Sequence, residues 1–176
     1  MIKTILLFVV LAVAVWTDFR SGRVPNRLTV AATLAGLALS MAPGGIGLGE
    51  AAGGFAIGFA ALLPLCALRA MGAGDVKLMA AAGTLLGMQA TFVAAFYTLA
   101  LGGLLALAFA WRAGALARLL ANLRLFAYAS AMRVASNSVP RVEDMPLTQL
   151  RGPYALAIAG GVLLQVVTRY FTGAGA

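Results

Sequence analysis

Five long stretches without a charged residue constrain this chain more than any other feature. They cover residues 4–17, 28–49, 51–68, 78–111 and 152–168. Most of them approach the about 20 residues that a helix needs to cross the hydrocarbon core of a bilayer. Only 10% of the residues are charged, whereas a soluble domain carries about 25%. The sequence therefore predicts an all-α, polytopic membrane helix bundle.

The stretch 78–111 is too long for a single membrane span. As one helix it would measure about 51 Å at about 1.5 Å per residue, and the hydrocarbon core is only about 30 Å thick. We therefore predict a break near Gly87-Met88-Gln89. The result is six spans, at 2–18, 28–43, 50–69, 76–88, 89–111 and 152–171.

The positions of lysine and arginine favour six spans over five. With six spans, eleven of the 13 basic residues lie on one side and two on the other, whereas five spans divide them six against seven. Positive residues accumulate on the cytoplasmic side of membrane proteins. We therefore predict a multi-pass membrane protein with its N-terminus outside and residues 112–151 in the cytoplasm.

The N-terminal segment and the long cytoplasmic segment each allow a more specific prediction. Lys3, the apolar run 5–15 and Ala12-Val13-Ala14 also resemble a cleavable signal peptide, but we favour a retained first span. Within 112–151, leucines and a phenylalanine recur at helical spacing, which predicts a cytoplasmic amphipathic helix on the membrane surface. We expect residues 1–176 to form a single integral-membrane domain.

The composition excludes several kinds of chemistry. The chain has no histidine, so histidine-based acid–base catalysis and histidine metal sites are not available to it. Its one cysteine, Cys66, can form neither a disulfide within the chain nor a cysteine metal cluster. We expect no metal and no cofactor.

Two of the five acidic residues, Asp18 and Asp75, stand at the edges of apolar runs. The six-span topology places both at the cytoplasmic edge of the bilayer. Carboxylates near hydrocarbon are costly and usually functional, and two of them close together titrate apart, so that one holds a proton while the other is ionised. Such a pair can activate water against a peptide bond. The structural alternative for Asp75 is a salt bridge with Lys77, Arg69 or Arg20.

Three blocks of sequence resemble a known family. "GAGD" at 72–75, followed by "VKL", looks like the GxGD signature of intramembrane aspartic proteases. "DFRSGRVPN" at 18–26 and "PYALAIAGG" at 153–161 are similar to the other two blocks of type IV prepilin peptidases, although Ala155 stands where a glycine is common. The resemblance implies that Asp18 and Asp75 are the catalytic pair. It also implies cleavage of a short basic leader at the cytoplasmic face of a bacterial inner (cytoplasmic) membrane.

Several residues near the pair are candidates for positioning the substrate or the backbone, although each also has a purely structural interpretation. Glycines beside Asp75 leave room for an extended peptide to approach, and Asn26 is a candidate N-cap of the second helix. Arg20 and Lys77 are expected to reach anionic lipid headgroups, and Arg20 is also a candidate for keeping Asp18 ionised. The full set is Gly72, Gly74, Arg20, Pro25, Asn26, Lys77, Pro153 and Tyr154.

The size of the chain narrows the resemblance. Larger family members carry a cytoplasmic insert with paired Cys-x-x-Cys motifs and also N-methylate the product, and that insert is missing here. The chain resembles the small CpaA/TadV-type branch associated with Flp (Tad) pili, so we expect a peptidase without methyltransferase activity. The expected partners are a prepilin or pseudopilin and membrane lipids, including anionic headgroups. We expect no nucleic acid, and the oligomeric state is left open.

Two other functions fit the same acidic residues. A small transporter or channel subunit could use Asp18 and Asp75 as proton or cation sites. A non-catalytic scaffold for pilus assembly could share the peptidase-like sequence. A scaffold would tolerate Asp→Asn at both positions, whereas a catalytic pair would not.

Overall fold

The computed structural model describes residues 2–67, 71–112, 114 and 154–171, and helices account for most of them. No strand occurs within these residues, so the predicted all-α class is confirmed. The helices are α1 (Ile2–Ser21), α2 (Asn26–Met41), α3 (Leu48–Ala67), α4 (Ala73–Leu86), α5 (Met88–Arg112) and α6 (Tyr154–Phe171).

These helices follow the six predicted spans to within about three residues at each boundary. Four of them are long and apolar enough to cross a membrane. They are α1, α3, α6 and the part of α5 from Met88 to Phe109. The other two are shorter, with 16 residues in α2 and 14 in α4. The predicted amphipathic helix lies outside the described residues, and the outward N-terminus stays a prediction.

The chain divides into two compact units. The first comprises Met1–Gly102 and Pro153–Ala176, and the second comprises Gly103–Gly152. We call the described part of the first unit the main bundle. All the candidate functional residues described below belong to it. The single domain over 1–176 stays a prediction.

The predicted break between the fourth and fifth spans is confirmed at Gly87. This residue has a φ of 84°, a left-handed conformation that glycine adopts without steric cost. Its N–H donates to the carbonyl oxygen of Gly83 at 3.0 Å, which is typical of a helix C-terminus. The helix α5 begins at the next residue, Met88.

The short helix α4 is the most enclosed element of the main bundle. Every residue from Asp75 to Leu85 is buried, with the exception of Lys77. Its sequence, "AGDVKLMAAAGTLL", is rich in small residues, so α2 and α3 can pack along it closely. Helices α1 and α6 also contact it.

Glycines let α3 and α4 cross almost at backbone contact. A Cβ added to Gly54 would collide with the carbonyl oxygen of Gly83, and a Cβ on Gly83 would collide with that of Gly54. One turn further along α3, a Cβ on Gly58 would lie 2.6 Å from the carbonyl oxygen of Met79. Such small-residue interfaces are typical of helix pairs in membranes.

The outer surface of the main bundle is apolar. Phe92 and Phe96 on α5 are 68% and 66% exposed, and Ile5 on α1 is 59% exposed. Soluble monomers rarely expose large contiguous apolar surfaces. These side chains are therefore suited to contact with lipid, in agreement with the predicted membrane bundle.

Helix direction gives the main bundle two distinct ends. At one end α1 finishes and α2, α4 and α6 begin, and we call it the carboxylate end because it holds Asp18 and Asp75. At the other end α3 and α5 begin while α4 and α6 finish. A cavity of about 560 Å³ opens there, lined in part by Glu50, Gln165 and Arg169, and we call this end the cavity end. The fold thus brings the two aspartates to one end although they lie far apart in the sequence.

Candidate active site

Asp18 lies in the last turn of α1 and is partly buried. Its Oδ2 accepts a hydrogen bond of 3.3 Å from the backbone N–H of Ala155, in the first turn of α6. The first N–H groups of a helix have no partner within that helix and favour a negative charge. The carboxylate of Asp18 therefore ties the end of α1 to the start of α6.

Asp75 lies in the first turn of α4 and is only 8% exposed. Its Oδ2 accepts from the N–H of Gly72 at 3.2 Å, while its own N–H donates to the carbonyl oxygen of Gly72 at 3.1 Å. This reciprocal pairing fixes the turn "GAGD" that precedes the helix. It also fixes the direction in which the carboxyl group points.

The other oxygen of Asp75, Oδ1, is buried and has no hydrogen-bond partner among the described residues. A buried polar atom without a partner costs about 1–3 kcal/mol, so proteins rarely keep one without a reason. This oxygen can accept a hydrogen bond from a water molecule, and when the carboxyl group is protonated it can donate one to a peptide carbonyl group.

The two carboxyl groups interact electrostatically. Asp75 immediately precedes the predicted fourth span, 76–88. Burial, and after it the nearby charge of Asp18, raise the pKa of Asp75 to about 6, although the hydrogen bond from Gly72 acts in the opposite direction. Burial and the neighbouring negative charge therefore both favour the protonated form of Asp75. A carboxyl group that keeps its proton beside a second carboxyl group is one requirement of a two-carboxylate mechanism.

The two glycines of "GAGD" do different things. A Cβ on Gly74 would lie 3.2 Å from both the Cβ and the carbonyl oxygen of Val24, so Gly74 lets α4 begin against the connection between α1 and α2. Gly72 is exposed, and a Cβ there would meet chiefly Asp75 Oδ2, at 3.3 Å. Of the two, only Gly72 presents open backbone toward the outside.

Lys77 and Asn26 form a second tie at this end. The Nζ of Lys77 donates to Oδ1 of Asn26 at 3.0 Å, which joins α4 to the first residue of α2. The N-cap position of α2 is occupied by Pro25, without a side-chain capping bond, so the interpretation of Asn26 as an N-cap is wrong. Proline suits this position because its fixed φ of about −65° needs no adjustment there.

The other predicted site residues form no hydrogen bond with Asp18 or Asp75 among the described residues. Arg20 is exposed, and its guanidinium carbon lies 5.4 Å from the ring centroid of Trp16, a cation–π geometry. Within the described residues, neither Asp18 nor Asp75 forms a salt bridge with Arg20 or Lys77. Tyr154 begins α6 and is partly buried; a Cβ on Gly102 would lie 3.4 Å from its ring. Pro153 and Arg69 lie outside the described residues.

The sequence did not reveal the backbone partners of the two carboxylates. Ala155 and Gly72 donate through their N–H groups, which every residue except proline carries. No side-chain pattern could therefore single them out. The contact between Val24 and Gly74 was missed for the same reason. The pairing of Lys77 with Asn26 had a weak signal, since Lys77 stands in the first turn of the predicted fourth span and Asn26 lies just before the predicted second span.

Together, the fold and the site define a class: a helical membrane protein with two interacting carboxyl groups at one end of its bundle. The model of the type IV leader peptidase family matches residues 5–107, a range that includes both aspartates. The chain belongs to the type IV leader peptidase family. No curated protein and no solved structure matches the chain. Membership of this family indicates a peptidase and implies a prepilin substrate in general terms.

Proposed function

We propose that this protein is an aspartic-type endopeptidase that removes the short basic leader of type IV prepilins or pseudopilins. The observation that carries the proposal is the state of Asp75: its carboxyl group is buried, one of its oxygens has no partner among the described residues, and the charge of Asp18 acts on it. A structural acid would be expected to have a cation or a full set of donors beside it.

In the proposed mechanism, the protonated Asp75 donates a hydrogen bond to the scissile carbonyl oxygen. Asp18 is the ionised member and takes a proton from the attacking water as the tetrahedral intermediate forms. Collapse of the intermediate breaks the C–N bond, and a carboxyl group protonates the leaving amine. The N–H of Ala155 holds Asp18, and the N–H of Gly72 holds Asp75, so both groups are oriented before the substrate arrives.

The proposal includes a location and a branch of the family. The excess of basic residues on one side supports cleavage at the cytoplasmic face of a bacterial inner membrane. The missing Cys-x-x-Cys insert supports the small CpaA/TadV-type branch, with a Flp-type prepilin as substrate and no N-methylation. Exposed Gly72 supports a substrate that lies along the backbone of the turn before Asp75.

The test is co-expression with a Flp-type prepilin, followed by gel shift and intact mass. The variants are Asp18→Asn and Asp75→Asn, with Glu143→Gln as a control that removes an acid from the predicted cytoplasmic segment. We expect wild type and the control to release the leader and both Asp variants to leave the prepilin intact. The mass of the new N-terminus also reveals any added methyl group. Cleavage that survives either Asp change would overturn the two-carboxylate mechanism.

A further inference from the structure

The connection between α1 and α2, residues 22–25, lies between the two helix ends that carry the aspartates. At its start, the N–H of Gly22 donates to the carbonyl oxygen of Asp18 at 2.8 Å, so the connection leaves α1 from the turn that holds Asp18. Two residues later, Val24 is buried and lies against Gly74, in the first turn of α4. The path of this connection therefore helps to set the distance between the end of α1 and the start of α4.

A side-chain hydrogen bond holds the far end of the same connection. The Nζ of Lys77 in α4 donates to Oδ1 of Asn26, the residue at which α2 begins, at 3.0 Å. Lys77 is exposed although its neighbours Val76 and Leu78 are buried. Holding a lysine side chain in one geometry costs conformational entropy, which offsets most of what an exposed hydrogen bond contributes to stability. The bond is therefore better suited to fixing a position than to raising stability.

Lys77 and Asp75 point in different directions from α4. Residues two apart on an α-helix are rotated by about 200° around its axis, and within the described residues Lys77 forms no salt bridge with either aspartate. Lys77 therefore acts on Asp75 through the backbone of the first turn and not by direct contact. Its acceptor, Asn26, is a neutral amide, so the bond adds no further negative charge near the two carboxyl groups.

We propose that the hydrogen bond between Lys77 and Asn26 fixes the separation of the two carboxyl groups, which makes both of these residues positioning residues. Like charges repel, so Asp18 and Asp75 move apart wherever the fold permits it. The bond keeps the start of α4 against the start of α2 and so opposes this movement. The inference rests on the proposed peptidase function and adds to it the contact that holds the catalytic pair at its working distance.

The experiment measures leader cleavage by the purified full chain, with wild type, Lys77→Met, Asn26→Ala and the double variant. We expect each single variant to lower kcat about tenfold with little change in KM, because small misplacements of catalytic groups are costly. The double variant should lose no more than either single one, since both changes remove the same bond. Additive losses would overturn the proposal. A rise in KM with unchanged kcat would also overturn it, because Lys77 would then contact the substrate.

The pH profile separates a positioning role from a direct charge effect. The charge of Asp18 contributes to the raised pKa of Asp75, so carboxyl groups that move apart should shift the profile of Lys77→Met to lower pH. Loss of a positive charge that acted directly on Asp75 would shift it to higher pH. Tyr154 also interacts electrostatically with Asp75 but stays neutral between about pH 5 and 8. A shift to higher pH, or an unchanged profile, would overturn the proposal.

Two further variants serve as controls. Arginine can donate to the same oxygen of Asn26, so Lys77→Arg should keep most of the activity, and a variant as impaired as Lys77→Met would overturn the proposal. Lys3 is the other lysine of the chain and donates to the carbonyl oxygen of Gly44 at 3.5 Å, at the opposite end of the main bundle. Lys3→Met removes this bond far from the aspartates and should leave cleavage unchanged. The unfolding temperature of Lys77→Met in detergent should stay close to that of wild type.

Failure of this inference can be told apart from failure of the proposed function. Wild type that does not cleave, or cleavage that survives Asp18→Asn or Asp75→Asn, counts against the two-carboxylate peptidase itself. Cleavage that requires both aspartates but is unimpaired in Lys77→Met and Asn26→Ala would overturn the positioning role alone.

Discussion

The two ends of the main bundle treat charge in opposite ways. At the carboxylate end, the fold brings two like charges together and leaves Oδ1 of Asp75 without a partner among the described residues. At the cavity end, Glu50 caps the first turn of α5, and Arg169 lies around the same cavity. The first arrangement opposes folding and the second includes a contact that favours it. A charged residue whose placement lowers the stability of the fold is a stronger candidate for a catalytic role than one whose placement raises it.

The largest expected effect separates activity from stability at the carboxylate end. Asp75→Asn should lower leader cleavage by about 10²- to 10⁴-fold, the range that positioned acid–base groups contribute. The same change removes a buried ionisable group and a like-charge interaction, so the unfolding temperature in detergent should equal or exceed that of wild type. A clear fall in the unfolding temperature would mean that Asp75 is a structural residue, and the comparison between the two ends would fail.

The next effect is a pH dependence with a definite sign. The pKa of Asp75 is raised to about 6, so the proton that the mechanism needs is present below that pH and is lost above it. We expect kcat/KM to fall by up to tenfold per unit as pH rises through and above about 6. Assays of reconstituted protein between pH 5 and 8 check this. A flat profile over that range would assign the proton to a different group.

Two glycine substitutions test which glycine of the carboxylate end is needed for cleavage. Gly74→Ala places a Cβ 3.2 Å from the Cβ and carbonyl oxygen of Val24, so the turn or the connection must shift. Because small misplacements of catalytic groups are costly, we expect cleavage to fall about tenfold. Gly72→Ala meets mainly Asp75 Oδ2, at 3.3 Å, and serves as the comparison. A larger loss from Gly72→Ala would indicate that a substrate backbone, rather than Val24, needs the space.

The smallest expected effect belongs to the cavity end and concerns stability. Glu50→Ala removes the acceptor of the Met88 N–H, and loss of a helix cap costs about 1 kcal/mol. Glu50→Gln keeps an acceptor and should lose less. Thermal unfolding in detergent compares the two variants with wild type. If both variants lose the same amount, the charge of Glu50 rather than its hydrogen bond stabilises this end.

Much of the fold was predictable because the bilayer imposes simple rules on sequence. The charge-free runs gave the helices, and the division of basic residues required the break that Gly87 makes. The enclosed position of α4 was harder to foresee, since an Ala- and Gly-rich helix has no marked apolar face to show which neighbours surround it. Helix–helix contacts there depend on backbone approach at Gly54 and Gly83, which only the tertiary structure reveals.

The candidate site was predictable in its carboxylates and less so in their surroundings. Topology alone placed Asp18 and Asp75 at one end, because both stand at boundaries of apolar runs. Arg20 was a candidate for keeping Asp18 ionised, and its guanidinium group lies over the ring of Trp16; nothing local in the sequence distinguishes these two partners. The cavity residues come from four helices, so their grouping could not be read from spacing. Gln165, an amide within an apolar run, was the available signal.

The brevity of α4 has a consequence for the depth at which Asp75 lies. Its 14 residues measure about 21 Å, whereas the 20 residues of its antiparallel neighbour α3 measure about 30 Å. The close contacts of Gly54 with Gly83 and of Gly58 with Met79 set the register of the two helices, and this register leaves about one turn of α3 beyond Asp75. Under the proposed function, a prepilin would therefore have to bring its leader junction down beside the last turn of α3, out of the lipid and within reach of water, before hydrolysis.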